Sequence, residues 1–487
     1  MKIKNKAILI AYPNRLGSNL ADLENILNGP LKNAFGGVHI LPFYHSSGDA
    51  GFAPIDYEVD EAFGSWNDIE KIAAQKDVMV DFMVNHLSPD SSEFQDYVKY
   101  HQDSKFKDMF LNWSKFWPKN RPTQADIDLI YKRKDRAPYQ EIMFADGKTE
   151  KIWNTFGEKQ LDLDVTQKTA QDFIHHQVSN LIQHGAKIVR LDAFAYAIKK
   201  LDTSDFFVEP EVWQLLEDIA NTANKADALV LPEIHEHYSY NKKIVEKGYF
   251  SYDFVLPIVV LHALYSHQGD ALVSWLNQAS MHQFTTLDTH DGIGVVDGKG
   301  ILSDEQLDYT VNRLYEVGAN VKRAYSSSAY HNLDIYQLNT TFYSAVGNSD
   351  AAYLLARAIQ IFAPGIPQIY YVGLLAGKND IDLVEETKEG RDINRHFYDQ
   401  AEINSALQKP VVAQLLKLLE YRNTSAAFEL TGKVTAKLLD DGILEIVRSN
   451  EAGCVKAILH ASLNNYHFSI NEITNETSQN ILVVGEN

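Results

Sequence analysis

Four short segments end in side chains that can move protons or carry charge: Asp81-Phe82-Met83-Val84-Asn85-His86, Arg190-Leu191-Asp192, Glu233-Ile234-His235 and Asp288-Thr289-His290-Asp291. A single acid of this kind is as often a solvated loop carboxylate or a structural ion pair. Four of them, each closing an apolar run and facing one rim, point to a shared pocket. Arg190 and Asp192 are two apart on a strand-like run and so lie on the same side. A guanidinium there keeps Asp192 ionised and oriented, as a nucleophilic carboxylate requires. Glu233 sits among Leu231, Pro232 and Ile234. A desolvated site raises a carboxyl pKa and favours a proton donor. One ionised and one protonated carboxyl across a glycosidic bond is the arrangement for retaining glycosyl transfer, with the carboxyl groups about 5–5.5 Å apart. Asp291 is then a third acid that holds sugar hydroxyls and stabilises positive charge.

The elements that must position these groups are short apolar runs. Eight read as buried parallel strands: Ala7 to Tyr12, Gly37 to Tyr44, Val78 to Asn85, Lys187 to Phe194, Ala228 to His235, Tyr249 to Leu256, Gln283 to Asp288 and Gly365 to Val372. Helix-like stretches separate most of them. Phe173, Ile174, Val178, Leu181 and Ile182 have helical spacing, and Gly185 ends that helix. Ser65 reads as an N-cap for the helix around Ile69 and Ile72. The alternation predicts an α/β fold, a (β/α)8 TIM barrel. A doubly wound sheet would need a Gly-rich phosphate loop after an early strand, which is missing. The Gly292, Gly294 pair precedes no helical pattern and reads as loop flexibility.

Two connections are too long for simple loops, and both leave from the C-terminal ends of strands. Residues 85–164 read as an inserted B domain, and residues 292–348 as a second insertion, B', with an active-site loop. The barrel then comprises residues 1–84, 165–291 and 349–427. Residues 428–487 alternate as a small β domain, with strands at Ile443 to Val447, Val455 to His460, Tyr466 to Ile470 and Ile481 to Val484.

The bulk numbers exclude several classes. The 487 residues, 45% hydrophobic and 23% charged, with 25 Tyr and 23 Phe, suit a globular chain rather than a disordered one. The net charge of -20 repels nucleic acid and anionic membranes. No run approaches the roughly 18 apolar residues of a membrane span. Cys454 is the one cysteine, so no intrachain disulfide can form; with no signal segment evident at the N-terminus, this predicts a cytoplasmic protein.

In combination and in this order, the four strand-end segments resemble the signature regions of the α-amylase superfamily. The resemblance covers essentially the whole chain. It implies the barrel, the B insertion and the C-terminal β domain, with Asp192 as nucleophile, Glu233 as general acid/base and Asp291 as transition-state stabiliser. Longer stretches narrow the match to the sucrose phosphorylase family. They are Gly37-Val-His-Ile-Leu-Pro-Phe43, Gly48-Asp49-Ala-Gly-Phe52, Leu287 to Gly294, Asn332 to Gln337, Gln368 to Gly377 and Gly390-Arg391-Asp-Ile-Asn-Arg395-His396. That family implies that Asp49, His86, Arg190, His290, Asp291 and Arg391 grip a glucosyl unit beside an aromatic wall of Phe52 and Phe156. Tyr196, His235, Asp334 and Gln337 fall where it contacts the fructosyl part or the loops around it.

The same resemblance implies sucrose and inorganic phosphate as the small-molecule partners of a monomer or homodimer. Phosphate must approach carboxylates in a protein of strongly negative charge and needs cationic donors. The run Lys132-Arg133-Lys134-Asp135-Arg136 supplies them. Alone it reads as a solvated loop; the resemblance makes Arg133, with Tyr336, the phosphate contact, and Arg136 the alternative. No cofactor and no metal are expected. Asn85 matches a calcium position of many amylases, but sucrose phosphorylases generally lack that site. His235 and His237 lack a third ligand, and His175 and His176 read as surface residues. Sucrose 6'-phosphate or another α-glucoside as substrate, water or a sugar as acceptor, and a non-catalytic amylase-like protein are the rival readings. The last would be expected to have lost one of the three acids.

Overall fold

The computed structural model describes residues 3–132, 136–319, 337–440, 442–475 and 477–485. The eight expected strands are present but shorter: β1 Ile8–Ala11, β2 Gly37–Ile40, β3 Asp77–Met83, β4 Ala186–Asp192, β5 Leu229–Pro232, β6 Ser251–Asp253, β7 Gln283–Thr285 and β8 Ile366–Tyr370. Asn85, Glu233, His235 and Asp288 fall beyond the C-terminal ends of their strands, whereas Asp192 is the last residue of β4. Helices follow in alternation: α1 Leu20–Asn28, α2 Trp66–Ala73, α3 Lys168–Gln183, α4 Glu211–Lys225, α5 Ser239–Glu246, α6 Leu256–Ser266, α7 Asp350–Phe362 and α8 Pro410–Thr424. This is a (β/α)8 barrel.

The chain forms two compact units. The first holds Ile40–Ile234. Within it the strand order is β5-β4-β3, and both pairings are parallel. Ala170, Ile174, Val178 and Leu181 form the buried stripe of α3. Gly185 follows that helix at φ +99°, and a Cβ there would lie 2.5 Å from the Cβ of Ala73, so both backbone and packing demand glycine. Ser65 caps α2 in a capping box with Asp68. Residues 85–164 carry their own cluster of Leu111, Trp113, Trp117, Ile130 and Trp153, and a hairpin of Tyr139–Met143 with Thr149–Trp153.

The second unit holds Ile3–His39 and the described residues from His235 onward. Its strand order is β2-β1-β8-β7-β6. Five antiparallel strands end the chain: β9 Lys433–Leu438, β10 Ile443–Ser449, β11 Val455–Ser462, β12 Phe468–Thr474 and β13 Ser478–Val484. The sequence pattern marks four of them. It misses β9, although Lys433-Val-Thr-Ala-Lys-Leu438 alternates strictly; the strand is short and its one buried side chain is the small Ala436.

Gly292 and Gly294 correct the sequence reading. Ile293–Gly294 pairs with Gln337–Leu338 as a two-stranded bridge. A Cβ on Gly292 would stand 2.8 Å from the Leu338 carbonyl oxygen. The glycine serves close backbone approach, not flexibility.

Candidate active site

In the first unit the site begins from strand register. Arg190 of β4 pairs with Asp81 of β3, so their side chains share a face. The buried guanidinium donates through Nη1 to Asp81 Oδ1 at 2.5 Å and to Asp192 Oδ1 at 3.0 Å. Its Nη2 lies 3.7 Å from Glu233 Oε1. One cation therefore serves three carboxylates, with the Phe52 ring 5.9 Å from its carbon. Glu233 extends the ladder past β5, its N–H donating to the Leu191 carbonyl at 3.1 Å. Ala193 takes a left-handed φ of +53° directly after Asp192, and its N–H donates to Glu233 Oε2 at 3.2 Å. Such a conformation in a non-glycine residue is strained and clusters at functional positions. Sequence reading placed Glu233 among apolar neighbours alone; the guanidinium and this N–H are additions that only the register reveals. Tyr57 packs beneath: burial, with the Asp192 and Asp81 carboxylates adding to it, pushes its hydroxyl well above the ordinary tyrosine value.

A second group in this unit surrounds His86. Its Nε2 donates to the Phe52 carbonyl at 2.9 Å, which leaves Nδ1 as acceptor facing Asn85 Nδ2 at 3.4 Å. Burial pushes the imidazole below its usual value, in keeping with that neutral tautomer. Gln160 donates to the same Phe52 carbonyl at 3.0 Å and reaches Asp49 Oδ2 at 3.4 Å. Phe156 stands edge-on to His86 at 5.5 Å and to Tyr196 at 5.0 Å. Asp49, Phe52, His86, Phe156, Arg190, Asp192, Tyr196 and Glu233 thus sit in one unit. Gln160 escaped the sequence reading, since an uncharged amide in a loop gives no signal.

Asn85 belongs to a different arrangement. The Lys199 ammonium donates to Asn85 Oδ1 at 2.9 Å, stands 2.7 Å from Asp162 Oδ2 and donates to the Tyr196 carbonyl. An amide oxygen, a carboxylate and a carbonyl are the donor set of a hard cation. A lysine nitrogen fills the centre, so these residues do not fit a calcium ion.

In the second unit, Arg391 Nη1 lies 3.2 Å from Asp291 Oδ1, and His290 Nε2 lies 3.6 Å from Asp291 Oδ2. His290 is edge-on to Tyr12 at 6.3 Å. Asp288 turns away: Arg357 holds both its oxygens, at 2.7 and 2.8 Å, in a fully buried pair. His235 stacks on Phe254 at 3.6 Å and faces the buried Asp297 at 3.5 Å, while His237 pairs with Ser239. The histidines form no metal pair. Asp297 was not anticipated. Gln337 is half-buried on the bridge to Gly294.

Arg133, Asp334 and Tyr336 lie outside the described residues. Arg136 is described, and its Nη1 is held by the Ala137 and Tyr139 carbonyls and by Asn154 Oδ1, at 2.9–3.1 Å. His175 pairs at the surface with Asp218.

Comparison with known proteins bears on this geometry. Residues 32–412 match the alpha amylase catalytic domain. A sucrose phosphorylase of Streptococcus mutans is 55% identical over 97% of this chain and 98% of its own. A sucrose 6(F)-phosphate phosphorylase of Thermoanaerobacterium thermosaccharolyticum is 43% identical over 88% of this chain and 89% of its own. The crystal structure of a sucrose 6F-phosphate phosphorylase from Thermoanaerobacter thermosaccharolyticum superposes with a TM-score of 0.93 at 40% identity, covering 99% of both chains.

Proposed function

The chain belongs to the alpha-amylase family, and from that premise we propose that it is a sucrose phosphorylase. It converts sucrose and inorganic phosphate into α-D-glucose 1-phosphate and D-fructose with retained configuration. The observation that carries this reading is the 55% identity, over nearly the whole chain, to a protein of that activity.

The proposed chemistry is two inversions. Asp192 attacks the anomeric carbon while Glu233 passes its proton to the departing fructosyl oxygen. A phosphate oxygen then attacks the β-glucosyl ester, and the Asp192 carboxylate leaves. Phosphate is already anionic and needs less base assistance than water. The Arg190 cluster supports these roles. Its bond to Asp81 fixes the guanidinium and its bond to Asp192 orients that carboxylate; Asp192 ends β4, and Glu233 directly follows the neighbouring β5. Asp291 carries transition-state charge with Arg391 beside it. Asp49, His86, Arg190, His290 and Arg391 hold the glucosyl unit, with Phe52 and Phe156 beside it. Tyr196, His235, Asp334 and Gln337 serve the fructosyl side, and Arg133 with Tyr336 serves phosphate. The B and B' insertions, 85–164 and 292–348, supply these last contacts. No described helix is long and apolar enough to cross a membrane. With Cys454 the lone cysteine, the proposed location is the cytoplasm.

Incubation with sucrose and phosphate, followed by assay of glucose 1-phosphate, tests the reading. Product with sucrose 6'-phosphate and none with sucrose would move it to the second reading, which the 43% relative favours. Free glucose at a phosphate-independent rate would make it a hydrolase. Asp192→Asn should abolish turnover; near-normal activity would remove the nucleophile assignment.

A further inference from the structure

The turn Gly390–Asn394 carries more than Arg391. Asn394 is buried, and its Nδ2 donates to two carbonyls, Thr289 at 3.1 Å and Asp291 at 3.2 Å. The next residue, Arg395, is also buried and donates through Nε to the carbonyl between them, that of His290, at 2.9 Å. Three consecutive carbonyls are therefore gripped by two adjacent side chains. The donor identity at Asn394 is secure, because both its partners are acceptors only.

The turn is itself fixed from two directions. The Asp380 N–H donates to the Ile393 carbonyl at 2.8 Å. Arg15 donates to the Arg395 carbonyl and stands 3.6 Å from Asp392. Arg15 also lies over the rings of Tyr12, at 4.8 Å, and Phe397, at 4.2 Å. Between the end of β7 at Thr285 and the bridge at Ile293–Gly294, the Asp291 N–H donates to Thr289 Oγ1 at 3.1 Å, and the Thr289, His290 and Asp291 carbonyls meet the turn. The turn thus contacts three consecutive peptide planes of the segment.

We propose that Asn394 and Arg395 are positioning residues of the glycosyl-transfer reaction, setting the backbone from which His290 and Asp291 reach the sugar. The assignment rests on the role proposed above for Asp291. One turn of chain then governs both the place of the Asp291 carboxylate, through Asn394 and Arg395, and its charge, through Arg391. A misplacement of about 1 Å is enough to cost roughly a hundredfold in rate.

The test compares Asn394→Ala with Asn423→Ala. Asn423 is a like-for-like control on α8: its Nδ2 donates to the Asn33 and Ala34 carbonyls, at 3.1 and 2.8 Å, and its Oδ1 accepts from the Ala7 N–H. Both variants lose a backbone clamp, so their thermal midpoints should fall alike. Asn394→Ala alone should lower kcat for phosphorolysis of sucrose, roughly 10- to 100-fold, with KM moving far less. Asn394→Asp, which keeps shape but lacks donors, should match Asn394→Ala. Arg395→Lys should recover most of the kcat that Arg395→Ala loses, because one N–H can still meet the His290 carbonyl. If Asn394→Ala does not fold, the Arg395 pair decides, and equal kcat in Arg395→Ala and wild type overturns the proposal. A wild-type kcat in folded Asn394→Ala, with a stability loss matching Asn423→Ala, overturns it too. Asp291→Asn separates the two layers: if it is inactive while the clamp variants are normal, the clamp alone fails. If it is active, the functional reading beneath it fails.

Discussion

Asp192 and Asp291 are each paired with an arginine, yet the two arginines are held differently. Arg190 stands on a strand, 3% exposed, with Asp81 locking it from the neighbouring strand. Arg391 stands on a short turn with its side chain 41% exposed. The first guanidinium cannot leave without breaking a sheet-borne ion pair. The second meets solvent over a large part of its side chain, where an ion pair is weaker. The carboxylate proposed to form the covalent bond thus has a fixed partner, and the one proposed to carry charge only in passing has an adjustable one.

Asp81→Asn attacks the fixed side of that contrast. It removes a fully buried charge from beside a buried guanidinium, which costs about 3–5 kcal/mol when one partner of such a pair is lost. Urea unfolding should show this as a lowered midpoint, with kcat falling as Arg190 shifts. If both stay at wild type, Arg190 is not held by its strand partner. Lys199→Met probes a second buried cation, leaving Asp162 without its ion-pair partner. About 3 kcal/mol of stability should be lost in the same assay. A neutral result would mean that solvent reaches the site.

Arg391→Ala should behave in the opposite way. Its exposure predicts a thermal midpoint unchanged within about a degree, because exposed pairs contribute about 0–1 kcal/mol. The expected loss is functional, about tenfold in kcat/KM for sucrose. A large fall in stability would erase the distinction between fixed and adjustable partners. The smallest effect belongs to the antiparallel pair of Tyr44–Ser46 with Pro54–Val59, whose connection carries Asp49. There, hydrogen bonds donated to Glu61 and then to Asp56 push the His45 imidazole up to about 9. A raised pKa stabilises the fold fully below the unfolded value near 6.5 and is lost as pH rises through about 9. His45→Gln should therefore differ slightly from wild type in thermal midpoint at pH 6 and converge with it by pH 10.

What could be read in advance divides along similar lines. Arg190 and Asp192 were legible because a strand alternates every two residues, and the buried barrel strands because apolar runs announce themselves. Asp81 was seen as an acid but not as the anchor of Arg190, since the two are 109 positions apart and only register unites them. Asp288 looked like a site residue until Arg357, arriving from α7, claimed both its oxygens. Gln160, Asn394 and Arg395 act through backbone carbonyls, which no side-chain pattern encodes. The strand β9 alternates as a strand should, but its one buried side chain, Ala436, is a weak apolar mark.

Lys199 has a consequence for how this molecule meets its surroundings. A bound ion has a dissociation constant and so a concentration below which the protein that needs it fails. An ammonium on a side chain has neither: its effective concentration at Asn85 and Asp162 is set by the backbone. No chelator can strip it, and no competing divalent ion can exchange for it. The local scaffold is complete as soon as the chain has folded, whatever the mineral content of the medium.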